Sequence, residues 1–147
     1  VHEPHDLEAR AGMSLAATLG GLAFSNCGVT LAHALEYPIG DRYQCTHGVG
    51  NGIVLPEVMR FLKKARGDRL AKIGQLLGVE ASSEAAIEEV SRLRREAGLP
   101  EGLRDVGVEQ SDLEDLAAIG ASLKRLMNLT PVSLSEADLL RILEASF

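Results

Sequence analysis

The chain has 147 residues, about the length of one domain. It is 46% apolar and 24% charged, which is ordinary for a globular protein and excludes disordered and low-complexity classes. Fifteen Lys and Arg against twenty-one Asp and Glu give a net charge of −6, and aromatic residues make up only 3%. We therefore expect no nucleic-acid partner, because phosphate contacts need clustered cations and single strands need stacking rings.

A charge-free stretch runs from Ala11 to Leu35 and is long enough to cross a bilayer. Polar side chains interrupt it, and residues 25–28 (Ser-Asn-Cys-Gly) are typical of a helix end followed by a turn. Two buried helices joined at residues 26–28 explain the stretch better than one membrane helix. We therefore expect no membrane partner, and a membrane-associated protein is the weaker alternative.

Helical periodicity continues downstream in one segment after another, and no segment alternates with period two. Asp68 and Ser135 are expected to cap helices, and Ser111 with Glu114 forms a capping-box pattern. Further helix boundaries are expected at Gly78, at Ser82 or Ser83, and at Gly98-Leu99-Pro100. The sequence predicts an all-α domain of about six or seven helices.

The cysteines and the first residue bear on where the protein resides. Cys27 and Cys45 are too few for a disulfide framework and indicate a reducing compartment, so we expect a cytoplasmic protein. The chain begins with Val1 rather than Met, so we expect it to be processed or cut from a longer protein.

Four histidines are scarce candidates for chemistry in this sequence. His2 and His5 could contact one metal ion together, although a frayed terminus is the alternative. His33 lies on an apolar helical turn, and His47 precedes the glycine-rich run at residues 48–52. Glycines let a backbone come close, so His47 can point its ring into a cavity.

Two imidazoles on adjacent elements suit a divalent metal such as iron or zinc. Three or four ligands are usual, however, so His33 and His47 could instead be ordinary core or surface residues. Cys45 could face the same cavity or be a small buried thiol. The glycine-rich run does not predict a nucleotide site, because no strand precedes it and no acidic residue follows at the ribose distance.

Several motifs, in order and with matching spacing, resemble the C-terminal half of iron-containing alcohol dehydrogenases. They are Gly21-Leu22-Ala23-Phe24-Ser25-Asn26-Cys27-Gly28, His33-Ala34, Pro38-Ile39-Gly40, residues 46–56 (Thr-His-Gly-Val-Gly-Asn-Gly-Ile-Val-Leu-Pro), residues 98–108, Asn128-Leu129-Thr130-Pro131 and residues 135–139. The resemblance covers nearly the whole chain.

The resemblance implies a fold and a division of labour. Residues 1–147 would form a single helical metal-binding domain, a multi-helix bundle of the type shared with dehydroquinate synthase-like proteins. The family's N-terminal α/β half, which binds NAD(P), would be absent from this chain. The family's metal, Fe(II) or Zn(II), has one Asp and three His ligands. His33 and His47 match the last two, and an Asp-x-x-x-His pair would belong upstream of Val1.

The resemblance also implies an activity, the NAD(P)-dependent interconversion of an alcohol and an aldehyde or ketone. The metal acts as a Lewis acid on the substrate oxygen while hydride is transferred. Phe24 matches a family aromatic between nicotinamide and substrate, although a core Phe is the alternative. Tyr37 stands where many relatives have a further histidine. A phenol can still donate a hydrogen bond, so Tyr37 is a tentative catalytic residue and the alcohol is left unassigned.

The expected partners are a small alcohol or aldehyde, the N-terminal nucleotide-binding half of the same protein, and further copies in a homo-oligomer. Alone, the chain is expected to be inactive and to expose the surface that this half covers, which would favour self-association. The alternative is a non-catalytic helical assembly module or a degenerate paralogue. The presence of both His33 and His47 argues against degeneration.

Overall fold

The computed structural model describes residues 2–147, which contain α-helices and short 3₁₀ helices and no β-strand. The α-helices are α1 (Leu7–Cys27), α2 (Leu31–Tyr43), α3 (His47–Leu76), α4 (Ser83–Glu96), α5 (Leu113–Ser122), α6 (Lys124–Leu129) and α7 (Glu136–Ala145). The 3₁₀ helices are Leu103–Val106 and Gln110–Asp112. The prediction of an all-α fold is confirmed.

Side-chain caps fix the beginnings of several helices, because the first backbone N–H groups of a helix have no partner within it. The Ser82 hydroxyl accepts a hydrogen bond from the Ala85 N–H at 3.1 Å, which starts α4. At α7, the Ser135 hydroxyl accepts from the Asp138 N–H at 3.2 Å, and Asp138 accepts from the Ser135 N–H at 2.8 Å. The predicted boundaries at Ser82 and Ser135 are confirmed.

Two other predicted caps are not formed, although one of them lies beside a helix boundary. α3 consists of two helical segments that meet at a kink at Arg66, whose φ of −138° and ψ of 31° are not helical. The predicted new helix is therefore present, but its boundary lies at Arg66 and not at Asp68. Ser111 lies in a 3₁₀ helix, and α5 begins after Asp112 without a side-chain cap. The Asp112 carboxylate is used elsewhere, since it accepts a hydrogen bond from the Tyr43 hydroxyl at the end of α2.

The main core surrounds α2, which packs against α3, α5 and α6. Its fully buried large side chains are Leu31, Leu35, Ile39, Ile53, Val54, Leu103, Leu116, Leu139 and Leu143. α5 approaches α2 closely at Gly120, where a Cβ would lie 3.0 Å from the Ala34 carbonyl oxygen. A second, smaller cluster joins α3 to α4 through Met59, Leu70, Ala86 and Ile87.

α1 differs from this core because none of its residues is buried. Its exposed large apolar side chains are Leu7, Met13, Leu15, Leu19, Leu22 and Phe24. The helix ends at Gly28, whose φ of 76° lies in the left-handed region that favours glycine. The predicted junction is therefore in place, but the expectation of two buried helices is wrong for α1.

The charge-free stretch was also tested as a membrane span. In residues 2–147, no single helix is both long and apolar enough to cross a bilayer. α1 and α2 satisfy the length and composition only when they are combined, and they are bent by 107° at their junction.

Candidate functional site

The structure brings His33 and His47 together at the junction of α2 and α3. The centroids of the two rings are 5.0 Å apart, and the ring planes are inclined by 53°. α2 ends at Tyr43, and Gln44 adopts a left-handed conformation with a φ of 54°. The chain re-enters a helix at His47 itself, so this short connection places the start of α3 beside α2.

Tyr37 completes a cluster of three rings. It lies one helical turn after His33, and its ring centroid is 6.0 Å from those of both histidines. The Tyr37 side chain is exposed, so its hydroxyl is accessible from outside the cluster. The predicted catalytic residue therefore lies beside the two predicted ligands.

A cavity of about 500 Å³ opens onto this cluster. Its lining includes the three rings of His33, Tyr37 and His47. It also includes the apolar residues Phe24, Val29 and Leu129. Its volume lies in the range of small-molecule sites. Phe24 is 54% exposed, so it is a cavity wall in this structure and not a core residue.

The environment of His33 favours a neutral ring. Partial burial lowers the pKa of His33, and the neighbouring His47 lowers this pKa further. A buried ring is harder to charge, and a second imidazole nearby adds to that effect. The neutral imidazole is also the form that gives a lone pair to a metal.

Glu36 holds His47, and the sequence analysis did not identify it. The Glu36 side chain is only 3% exposed, and its Oε2 lies 2.6 Å from His47 Nδ1. A carboxylate can only accept, so Nδ1 is the donor in this hydrogen bond. The sequence signal that could have identified Glu36 is an acidic residue on the same apolar helical turn as His33.

Two glycines make room for Glu36. A Cβ on Gly40 would lie 2.8 Å from Glu36 Oε1, and a Cβ on Gly50 would lie 2.7 Å from Glu36 Cγ. Both distances are shorter than real Cβ contacts, so any other residue at either position would displace the carboxylate. At Gly50, the glycine-rich run therefore accommodates Glu36.

Two further residues lie near Glu36 and His47. They are Asn51 on α3 and Cys45 in the loop before α3. Asn51 Nδ2 donates to the His47 carbonyl oxygen at 3.1 Å. Cys45 is half-buried near Glu36 and does not line the cavity. Burial raises the pKa of the Cys45 thiol, and the charge of Glu36 raises it further.

The donor set fits a divalent metal ion in part. His33 and His47 offer two imidazoles from adjacent elements, close enough to share an ion. Within residues 2–147, no group of three or more His, Cys, Asp or Glu side chains is arranged to hold a metal. His2 and His5 are both exposed near the N-terminus. The described residues therefore supply two ligands where three or four are usual.

A family model and several known proteins match most or all of this chain. The model of the Fe-containing alcohol dehydrogenase family, C-terminal part, matches residues 1–147. Long-chain-alcohol dehydrogenase 1 of Geobacillus thermodenitrificans is 37% identical over 149 residues, which cover 97% of this chain and 38% of that protein. Lactaldehyde reductase of Escherichia coli K12 is 39% identical over 119 residues, which cover 76% of this chain and 31% of that protein.

Solved structures agree with the sequence matches. The crystal structure of a 1,3-propanediol oxidoreductase superimposes with a TM-score of 0.92 at 30% sequence identity, covering 97% of this chain and 39% of that one. The chain thus spans about two fifths of the length of such relatives. With the family model matched from the first residue to the last, the chain belongs to the Fe-containing alcohol dehydrogenase family and corresponds to its C-terminal, all-α domain.

Proposed function

We propose that this chain is the metal-binding helical domain of an NAD(P)-dependent alcohol dehydrogenase that interconverts an alcohol and an aldehyde or ketone. The observation that carries the proposal is the pairing of His33 and His47. They come from two different helices, lie 5.0 Å apart and face one cavity. In a family of iron-containing alcohol dehydrogenases, such a pair is well suited to hold the metal.

His33 and His47 would be two of the ligands of Fe(II) or Zn(II), and imidazole suits both metals. The remaining ligands would come from outside residues 2–147, in which no group of three His, Cys, Asp or Glu side chains is arranged to hold a metal. When bound, the metal would supply Lewis-acid chemistry at the alcohol oxygen, and NAD(P) would supply the hydride acceptor.

The other cavity residues would act on the substrate directly. The Tyr37 hydroxyl would donate a hydrogen bond to the substrate oxygen and hold a proton there. Its ring stands 6.0 Å from both histidine rings, within reach of a small molecule in the cavity. Phe24 would form an apolar wall against the substrate and the nicotinamide, and would exclude water from the reacting atoms.

The exposed helix α1 would be covered in the complete enzyme. None of its residues is buried, although its sequence is strongly apolar. We assign this surface to the N-terminal nucleotide-binding half of the same protein, and expect the whole to form a homo-oligomer. Both cysteines are free thiols, which supports a cytoplasmic location. The chain alone would be inactive.

A chimeric enzyme tests this proposal. The N-terminal part of Escherichia coli lactaldehyde reductase would precede residues 1–147, and NAD(P)H formation would be measured with a panel of alcohols. We expect metal-dependent activity that is lost, together with the bound metal, in His33→Ala and His47→Ala. His5→Ala, outside the cavity, should retain both. Activity that survives complete metal removal would overturn the proposal.

The second candidate function is a non-catalytic assembly module, and the exposed apolar surface of α1 favours it. The same chimera separates the two functions. A stable, well-folded chimera that binds no metal and oxidises no alcohol would support assembly in place of catalysis.

A further inference from the structure

We propose that Glu36 is a positioning residue, which fixes the tautomer and orientation of His47 so that its Nε2 is presented as a ligand. This inference rests on the proposed function. His47 is 58% exposed at its side chain, so packing alone does not hold the ring. The hydrogen bond from Nδ1 to the buried carboxylate restrains the ring at 2.6 Å, and Asn51 Nδ2 lies 3.4 Å from Nδ1 and 3.3 Å from Nε2 of the same ring.

The local structure is difficult to explain by stability. A buried carboxylate is unfavourable unless it is well hydrogen-bonded, and glycine inside a helix weakens that helix. Here both occur together, since Gly40 lies within α2, Gly50 lies within α3, and each leaves space that Glu36 occupies. Features that locally disfavour folding and converge on one side chain are typical of functional sites.

The chemistry of metal sites explains what the hydrogen bond does. A histidine ligand commonly donates its other ring N–H to a carboxylate, which orients the ring and makes the ligating nitrogen more basic. Loss of such a partner typically weakens metal affinity about 10- to 100-fold. Glu36 also follows His33 by one helical turn, so α2 would supply one ligand and orient the other.

The test separates positioning from packing by using the space at Gly50. Glu36→Ala removes the carboxylate and leaves a cavity, so it changes the positioning of His47 and the local packing at the same time. The double variant Glu36→Ala/Gly50→Ala refills part of that space, because the new Cβ at residue 50 would lie 2.7 Å from the position that Glu36 Cγ occupies in the wild type. Gly48→Ala is the matched control on the same turn of α3, since its Cβ would have nothing within 4 Å.

Two measurements on the 147-residue chain decide the question. NMR of the metal-free protein reports which His47 ring nitrogen carries hydrogen, and competition with a chelator gives the Zn(II) affinity. We expect the double variant to regain stability relative to Glu36→Ala. It should nevertheless lose the Nδ1–H form of His47 and bind Zn(II) about 10- to 100-fold more weakly than the wild type. Glu36→Gln keeps the shape of the side chain and an acceptor oxygen. Its Zn(II) affinity should therefore lie between those of the wild type and the double variant.

The inference is overturned if the double variant keeps the wild-type His47 tautomer or the wild-type Zn(II) affinity. Its failure is distinguishable from failure of the proposed function. A chimera, with the ligands from outside residues 2–147 in place, whose histidine pair takes up no Zn(II) contradicts the metal site. The NMR comparison without metal still shows whether Glu36 sets the His47 ring.

Discussion

α1 and α2 come from the same charge-free stretch of sequence, yet the structure uses them in opposite ways. α2 buries Leu31, Leu35 and Ile39 completely between its neighbours, whereas α1 buries no residue. Apolar composition makes both segments helical but does not determine what covers them. Only packing partners do, and α2 has them in α3, α5 and α6.

The residues of the candidate site also differ in whether a buried or an exposed helix carries them. α2 carries His33, Glu36 and Tyr37 on a framework fixed by the core, while α1 contributes Phe24 from an exposed helix end. The two histidines are therefore positioned by the folded core, and the apolar wall of the cavity depends on how α1 is held. Changes in the two helices should have unequal effects on stability.

The largest expected difference concerns leucine truncation. Leu35→Ala in α2 removes a fully buried side chain and should lower the free energy of unfolding by about 2–5 kcal/mol. Leu15→Ala in α1, where the side chain is 60% exposed, should change it by less than about 0.5 kcal/mol. Urea unfolding of the 147-residue chain measures both. Equal losses would show that α1 is part of the cooperative core.

Glycine substitutions should give opposite signs in the two regions. Gly120→Ala places a Cβ 3.0 Å from the Ala34 carbonyl oxygen and should destabilise the fold by about 1–3 kcal/mol. Gly20→Ala in α1 meets nothing within 4 Å and should strengthen that helix by up to about 1 kcal/mol. Thermal unfolding with helicity by circular dichroism measures both. A stabilised Gly120→Ala variant would refute the close approach of α5 to α2.

Helix caps give a smaller contrast. Ser135→Ala removes the cap of α7, which packs into the core, and should reduce the free energy of unfolding by about 1 kcal/mol. Asp6→Ala removes the cap of α1, where Asp6 accepts from the Glu8 and Ala9 N–H groups at 3.0 Å. We expect that change to fray α1 and reduce helicity without moving the urea midpoint. A shifted midpoint would indicate that α1 unfolds together with the core.

The smallest expected effect is a dependence on pH. Hydrogen bonds from the Ser135 hydroxyl and backbone N–H, and the nearby Arg141, lower the pKa of Asp138. A carboxyl whose folded pKa is lowered stabilises the fold above its ordinary pKa of about 3.9 and loses that contribution as pH falls. Asp138→Asn should therefore show a shallower loss of stability in acid than the wild type. An unchanged acid profile would contradict this assignment.

The sequence predicted the all-α fold, and four residues that it singled out line the cavity: Phe24, His33, Tyr37 and His47. Periodicity and caps such as Ser82 and Ser135 are local signals, so they could be interpreted without the structure. The Asp68 pattern indicated a real helix boundary, but that boundary lies at Arg66. The Ser111 pattern failed because Ser111 lies in a 3₁₀ helix that precedes α5.

The candidate site was predictable as single residues but not as an arrangement. His33 and His47 were singled out from their sequence surroundings, whereas Phe24 and Tyr37 were identified through the resemblance to a family. Glu36 was missed because its role depends on a contact between helices that spacing does not reveal. The exposure of α1 was missed for a related reason, since an apolar helix has the same sequence pattern whether or not a partner covers it.

The most direct test of the account is a Zn(II) titration of the 147-residue chain followed by the NMR signals of all four histidine rings. If His33 and His47 share one ion, their signals move together with one midpoint, and the His47 response disappears in His33→Ala. His2 and His5 should then respond separately from that pair. A His47 response that persists unchanged in His33→Ala would contradict a shared metal site.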